Sequence, residues 1–334
     1  MILVTGGTGL LGSHLLYDLV KSGKKVRALK RSGSDVSNTS NVFSYYCEDT
    51  VPFSKIEWVE GDVLDPLSLS DAMNGIEYVY HCAAMVSFDA GAHERMLHVN
   101  TEGTANVVNI ALEKKIRKLC HVSSIAALGR NLNAKEITED TFWRPSTGNS
   151  VYSVSKYGAE REVWRGVQEG LSAIIVNPSI IIGPGNWKKS SSNMFVTAYK
   201  GLKYYTGGIT GFVDVRDVSK AMILLMDSEI KNERFIVSSE NVSYKRFFDL
   251  ASENFGKQKS SIHAGPFFSE ALWRMYAFKK MATGKRSVIT KETARAAHQK
   301  NNFSSEKIKK ALNIDFIPLE QSVKETAKFF LKDL

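Results

Sequence analysis

The chain has 334 residues, 43% of them apolar and 24% charged, with 44 Lys and Arg against 35 Asp and Glu for a net charge of +9. That length and composition suit a soluble globular protein with one sizeable domain and a smaller appendage. No apolar run approaches the roughly 20 residues that cross a bilayer, which excludes a spanning helix. No helix-turn-helix, zinc-finger or RNA-binding pattern accompanies the excess charge. It reads as a solvated basic surface suited to a polyanionic small ligand, and neither nucleic acid nor membrane is expected as a partner. The N-terminus opens straight into an apolar run without a basic leader, and Cys47, Cys82 and Cys120 are scattered without metal-ligand spacing. No metal is expected, and the protein reads as cytoplasmic with free thiols.

The first elements carry the first signal. An apolar run over residues 1–4 meets TGGTGLLG over 5–12, and then a helix with Leu11, Leu15, Leu16, Leu19 and Val20 at helical spacing that stops at Gly23. Strand, glycine turn, helix is the context in which Gly6, Gly9 and Gly12 let a pyrophosphate approach the backbone at a helix N-terminus. Thr5, Gly6, Thr8, Gly9, Leu10, Leu11 and Gly12 are the expected contacts of a dinucleotide. The second strand, 25–31, ends in Lys30-Arg31 with no acid before Asp35. An acid at that place holds ribose hydroxyls, whereas an arginine accommodates a 2′-phosphate, so NADP(H) is expected ahead of NAD(H). Residues 33–55 read as an irregular loop holding at most a short helix. After a strand over 56–59, the turn GDVLD brings Asp62 and Val63 towards the adenine. A helix over 66–73 and a strand over 78–81 follow. The latter runs into Cys82-Ala83-Ala84, small residues that permit close approach to the cofactor. His81, alone at a strand end, reads as structural.

A long helix over about 92–114 holds Asn100 in its middle, at a mild propensity cost. The strand 118–122 ends in Ser123-Ser124, at the sheet edge where open α/β folds bind ligands. SVYSVSK over 150–156 then puts Tyr152 and Lys156 one helical turn apart. A tyrosine of ordinary pKa near 10 becomes a useful proton carrier when a fixed ammonium favours its phenolate. The pattern is short, and an ordinary amphipathic helix also carries it. A strand over 172–176 passes into NPSIIIGPG, and beyond Gly185 the β-α rhythm breaks. The expected architecture is α/β: a Rossmann-type doubly wound parallel sheet over 1–185, and a smaller, mainly helical substrate lobe over 186–334. The chain is expected to return to the sheet near 212–218 and 235–237.

TGGTGLLG, GDVLD, HCAA, NTEGT, HVSSIAALG, YSVSK, NPSIIIGPG and FVDVRDV, in that order, resemble the extended short-chain dehydrogenase/reductase family, also called the NAD-dependent epimerase/dehydratase family. VRALKRS with SSIAALG and NPSIIIGPG looks most like its dihydroflavonol-4-reductase-like branch, whose members reduce ketones or aldehydes with NADPH. The resemblance implies that Tyr152 is the general acid, that Lys156 holds the nicotinamide ribose and lowers the Tyr152 pKa, and that Ser124 bonds the reacting oxygen, with Ser123 its nearest rival. It implies that Asn100 supports the lysine and that Pro178 and Ile181 border the nicotinamide. Met85, Val86, Ser87 and Phe88, with Phe195 and Tyr204, are expected to face an apolar or aromatic carbonyl substrate. A homodimer through the two long helices is also implied. Two other readings stand beside this one: a nucleotide-sugar epimerase using NAD(P), which Lys30-Arg31 disfavours, and an NADP(H)-binding protein without turnover.

Overall fold

The computed structural model describes residues 1–46, 52–87, 89–129, 135–146, 148–283 and 290–334, with backbone only at 90 and 279–283. Seven parallel strands form the central sheet: β1 (Ile2–Thr5), β2 (Val26–Lys30), β3 (Ile56–Glu60), β4 (Tyr78–His81), β5 (Lys118–Val122), β6 (Ala173–Pro178) and, after three strands outside it, β10 (Glu233–Val237). Their order is β3-β2-β1-β4-β5-β6-β10, so the winding reverses between β1 and β4. The crevice outside that reversal is where such sheets take their ligands. Helices α1 (Leu10–Lys21), α2 (Ser37–Tyr46), α3 (Pro66–Ala72), α4 (His93–Glu113) and α5 (Val151–Gln168) fall between the strands.

Period-two alternation explains why strands without polar faces are stable here. Ile2 and Val4 face one core with Leu15, Leu16, Leu19, Met222 and Leu225, while Leu3 faces the other with Leu69, Met73, Val107, Val108 and Val163. Both faces are covered, so β1 is buried throughout. Each fully buried Leu contributes about 1.5–3 kcal/mol relative to exposure.

After β6 come β7 (Ile180–Ile182), α6 (Asn193–Lys200), β8 (Tyr204–Tyr205), β9 (Ile209–Asp214) and α7 (Val215–Asp227). Following β10 are β11 (Glu240–Ser243), α8 (Tyr244–Asn254), β12 (Ile262–His263), α9 (Pro266–Thr283), α10 (Lys291–Ala296), α11 (Glu306–Leu312) and α12 (Leu319–Lys332). The return at 235–237 is β10, beside β6. The apolar run at 212–214 does not rejoin the main sheet: β9 pairs with β7 and β11 in a three-stranded sheet of its own. α7, which follows it, does pack back, on α1. The lobe has a separate core in which Phe195, Phe212, Phe247 and Phe330 are buried. Among the described residues, no helix is long and apolar enough to cross a membrane.

Candidate active site

The glycine turn is shaped by backbone crowding. Gly6 has φ +72°, and a Cβ there would lie 2.6 Å from the Ala83 nitrogen; a Cβ on Gly12 would lie 2.2 Å from the Gly6 oxygen. Only glycine fits either place, and the turn therefore lies hard against the end of β4. Gly9 is the N-cap of α1 and supplies no side-chain acceptor, so the positive end of α1 is left for an anion. Two residues from the stretch 33–55 hold the turn from outside: Thr39 donates to the Gly7 carbonyl at 3.0 Å and Asn38 to that of Thr8 at 3.2 Å. The segment read as loop is thus the strap of the glycine turn.

At the end of β2 the two cations differ. Lys30 is paired with Glu60 at 3.0 Å. Arg31 is exposed, and its guanidinium has no hydrogen-bond or ion-pair partner among the described residues, while its carbonyl accepts from the Ser34 N–H at 3.0 Å. Asp35, the first acid, turns its carboxylate onto Ser37 at the start of α2. Asp62 likewise accepts from the Leu64 N–H within its own turn, and the Val63 carbonyl accepts from Asn106. His81 is buried between Thr5 (2.8 Å) and Thr104 (3.0 Å), and burial lowers its pKa to about 3, which keeps the ring neutral. Its role is to bind β1, β4 and α4 together; the Thr5 hydroxyl also receives the Ala83 N–H. Ala84, next in chain, is exposed.

At the carboxyl end of β5, Ser124 and Tyr152 hydrogen-bond through their side chains. Ser124 also accepts from the Ala126 N–H at 3.1 Å. Ser123 points the other way, donating to buried Glu160 at 2.8 Å. Ser150 caps α5, and Ser153 bonds the Ala126 carbonyl at 2.6 Å, so Tyr152 occupies a fixed first helical turn. Lys156, one turn on and 2% exposed, donates to the Val122 carbonyl at 2.7 Å. Burial lowers the Lys156 pKa to about 8, with Glu160 and Cys82 opposing. Tyr152 differs from the expectation: burial raises its pKa above the ordinary value, and the Ser124 bond is the opposing influence rather than Lys156.

Asn100 is buried and fully used. It accepts from the Met85 N–H (2.7 Å) and donates to the Met85 carbonyl and to Ser155 (both 2.9 Å). It thereby clamps the segment after β4 onto α4 and α5, rather than touching Lys156. Pro178 ends β6 and Ile181 lies in β7. Of the expected substrate wall, Met85 and Ser87 are half-buried beside this clamp, and Phe88 lies outside the described residues. Phe195 is a correction: it is fully buried and packs edge-on against Trp187 and Phe247, inside the lobe's core. Tyr204 is exposed and stacked on Phe268, on the small sheet β8-β12.

Two acids that no motif singles out hold the site in place. Glu160 accepts from Ser123, Asn177 (3.0 Å) and Arg234 (2.9 Å), joining α5 to β5, β6 and β10. Glu292 of α10 accepts from the Val151 N–H at 3.2 Å, one residue before Tyr152. Replacing Arg234 with leucine leaves buried Glu160 without its ion-paired guanidinium and is expected to cost about 3–5 kcal/mol. Urea unfolding checks this, and a cost below about 1 kcal/mol would show that Ser123 and Asn177 suffice.

Comparison with known proteins now decides the family: the family model described as "NAD dependent epimerase/dehydratase family" matches residues 2–238. The chain belongs to the NAD-dependent epimerase/dehydratase family. Sterol demethylase protein B of Methylococcus capsulatus is 30% identical over 79% of this chain and 77% of that protein. Cinnamoyl-CoA reductase 1 of Petunia hybrida is 27% identical over 98% of this chain and 91% of its own length. The crystal structure of gox2253 superposes with a TM-score of 0.82, at 28% identity, over 100% of this chain and 98% of that one. The family's cofactor is a nicotinamide dinucleotide, and the chain's relatives include a putative dihydroflavonol 4-reductase and an anthocyanidin reductase, in keeping with the branch read from its motifs. The residues fit such a cofactor: a glycine cradle with no room for a Cβ, an uncapped helix end for the pyrophosphate, and an exposed arginine at the end of β2.

Proposed function

We propose that the protein is an NADP(H)-dependent oxidoreductase that reduces the carbonyl group of a small, largely apolar ketone or aldehyde. The observation that carries this reading is the Tyr152–Ser124 hydrogen bond, with the Lys156 ammonium one helical turn away, at the sheet edge beside the glycine turn. The residues of the turn, with Arg31 at a 2′-phosphate, would hold the dinucleotide, which supplies the hydride when bound.

The chain's own residues handle the proton. Ser124 and Tyr152 present two hydroxyls to one carbonyl oxygen and polarise it. Because burial raises the Tyr152 pKa, its proton is in place at neutral pH, as a general acid requires. The phenolate left behind lies in the first turn of α5, at the positive end of that helix. Lys156, with a pKa of about 8, is mostly charged at pH 7 and supplies a nearby counter-charge. An apolar substrate is supported by the half-buried Met85 and exposed Val86 after β4, and by relatives named for a sterol and for a cinnamoyl thioester. A homodimer through the packed α4–α5 pair and a cytoplasmic location are part of the same reading.

Steady NADPH consumption with a panel of apolar ketones and aldehydes tests the proposal. Turnover of any of them supports it. A protein whose melting temperature responds only to nucleotide sugars, with no net NADPH oxidation, would be an epimerase instead. One that binds NADPH and turns over nothing would be a sensor.

Cofactor choice gives a separate measurement. Arg31→Ala is expected to weaken NADPH binding by about 10–100-fold, the loss of a charge-assisted contact, and to leave NADH binding nearly unchanged. Equal losses for both would remove Arg31 from the 2′-phosphate.

A further inference from the structure

Among the described residues, six of the thirteen exposed large apolar side chains lie on one lobe: Tyr204, Ile262, Phe267, Phe268, Met275 and Phe278. They are connected. Tyr204 and Ile262 are register partners across β8 and β12, and Tyr204 stacks on Phe268 with ring centroids 5.3 Å apart. Along α9, Phe267, Ala271, Met275 and Phe278 recur at helical spacing on one outward stripe, with Phe267 91% and Phe278 75% exposed. The opposite stripe is the one that packs: Ser269 is buried and bonded to His298 at 2.8 Å, and Leu272, Trp273 and Tyr276 are half-buried. α9 thus has two apolar faces, one used by the fold and one left outside it.

The charge of this stretch of sequence says what covers the stripe. Between Lys257 and Lys300 the chain carries ten Lys and Arg but only Glu270 and Glu292 as acids, so this stretch accounts for eight of the nine net positive charges. We propose that α9, with the β8-β12 sheet beside it, docks on the surface of an anionic lipid bilayer. The aromatic stripe lies in the headgroup region and the lysines and arginines of this stretch of chain meet the lipid charge. A helix lying in the interface needs no run of about 20 apolar residues, so the absence of a spanning segment is compatible with it. A second copy of the chain is a poorer occupant, because a symmetric contact would bring together two stretches of chain that each carry an excess of eight positive charges. This amends the expectation, drawn from composition, that the protein meets no membrane.

The test is co-sedimentation of the full chain with vesicles of phosphatidylcholine alone and of phosphatidylcholine mixed with phosphatidylglycerol, at low and high salt. Binding is expected to be at least about tenfold stronger to the anionic vesicles and to weaken with salt. The Phe267→Ser/Phe278→Ser double variant is expected to lose it while keeping the wild-type circular dichroism and NADPH affinity. No binding to anionic vesicles at low salt, or binding that the double variant retains, overturns the proposal. So does a concentration-dependent dimer that the same two substitutions dissolve, or retention of the chain by single-stranded DNA but not by vesicles. None of these outcomes depends on whether a carbonyl substrate has been found.

Discussion

Tyr152→Phe is expected to lower carbonyl reduction by about 10²–10⁴-fold, the usual worth of a positioned proton donor. Affinity for the dinucleotide is expected to stay close to that of the wild type. The ring of Tyr152 stays in place because α5 is fixed at its start by the Ser150 cap, by the Ser153–Ala126 bond and by Glu292 on the Val151 N–H. Only the hydroxyl, bonded to Ser124, is removed. Single-turnover reduction together with NADPH titration separates the two effects. A variant keeping more than roughly a tenth of the rate would assign the proton to another group.

Gly12→Ala has the second large effect, and it falls on binding rather than chemistry. The new methyl would meet the Gly6 oxygen at 2.2 Å and the Gly7 Cα at 2.9 Å. Both are backbone atoms, so the turn itself must shift, at a cost of about 1–3 kcal/mol for overpacking. Because that turn rests on Ala83 through Gly6 and is strapped by Asn38 and Thr39, it has little freedom to give way. NADPH affinity is expected to fall by about 10–100-fold, while the melting temperature without cofactor drops by only a few degrees. Affinity within about threefold of wild type would mean that the phosphates do not approach this turn.

Much of this arrangement is legible before any coordinates. The strand-turn-helix at 1–21 and the succession of β-α units to Pro178 follow from local spacing, because glycines and apolar periods act over a few residues, and the family follows from the resemblance that its motifs carry. What escapes is whatever depends on distant partners. Glu160 is an unremarked acid on an amphipathic helix until Arg234, 74 positions on, reaches it, and Glu292 meets Val151 from 141 positions away. Between Ser123 and Ser124 the resemblance favours Ser124, and the structure agrees by setting Ser124 on Tyr152 and Ser123 on Glu160. Phe195 reads as a pocket aromatic because composition cannot tell a substrate wall from the core of a lobe. The run at 212–214 has the apolarity of a central strand, which does not specify the sheet that receives it.

The Glu160–Arg234 pair has a consequence for how the chain can be divided. Every residue of the Ser124, Tyr152 and Lys156 group precedes residue 160, and the glycine turn comes earlier still, so the first 185 residues hold the whole of the proposed site. Yet the helix bearing Tyr152 and Lys156 also buries a carboxylate whose cationic partner is on β10, synthesised only after the chain has passed through α6 and α7. A fragment ending near 185 would keep the side chains of the proposed site and lose that ion-pair partner, together with the strand that covers the edge of β6. The half that carries the proposed site is therefore not an autonomous unit. During synthesis α5 acquires its full support only when β10 arrives.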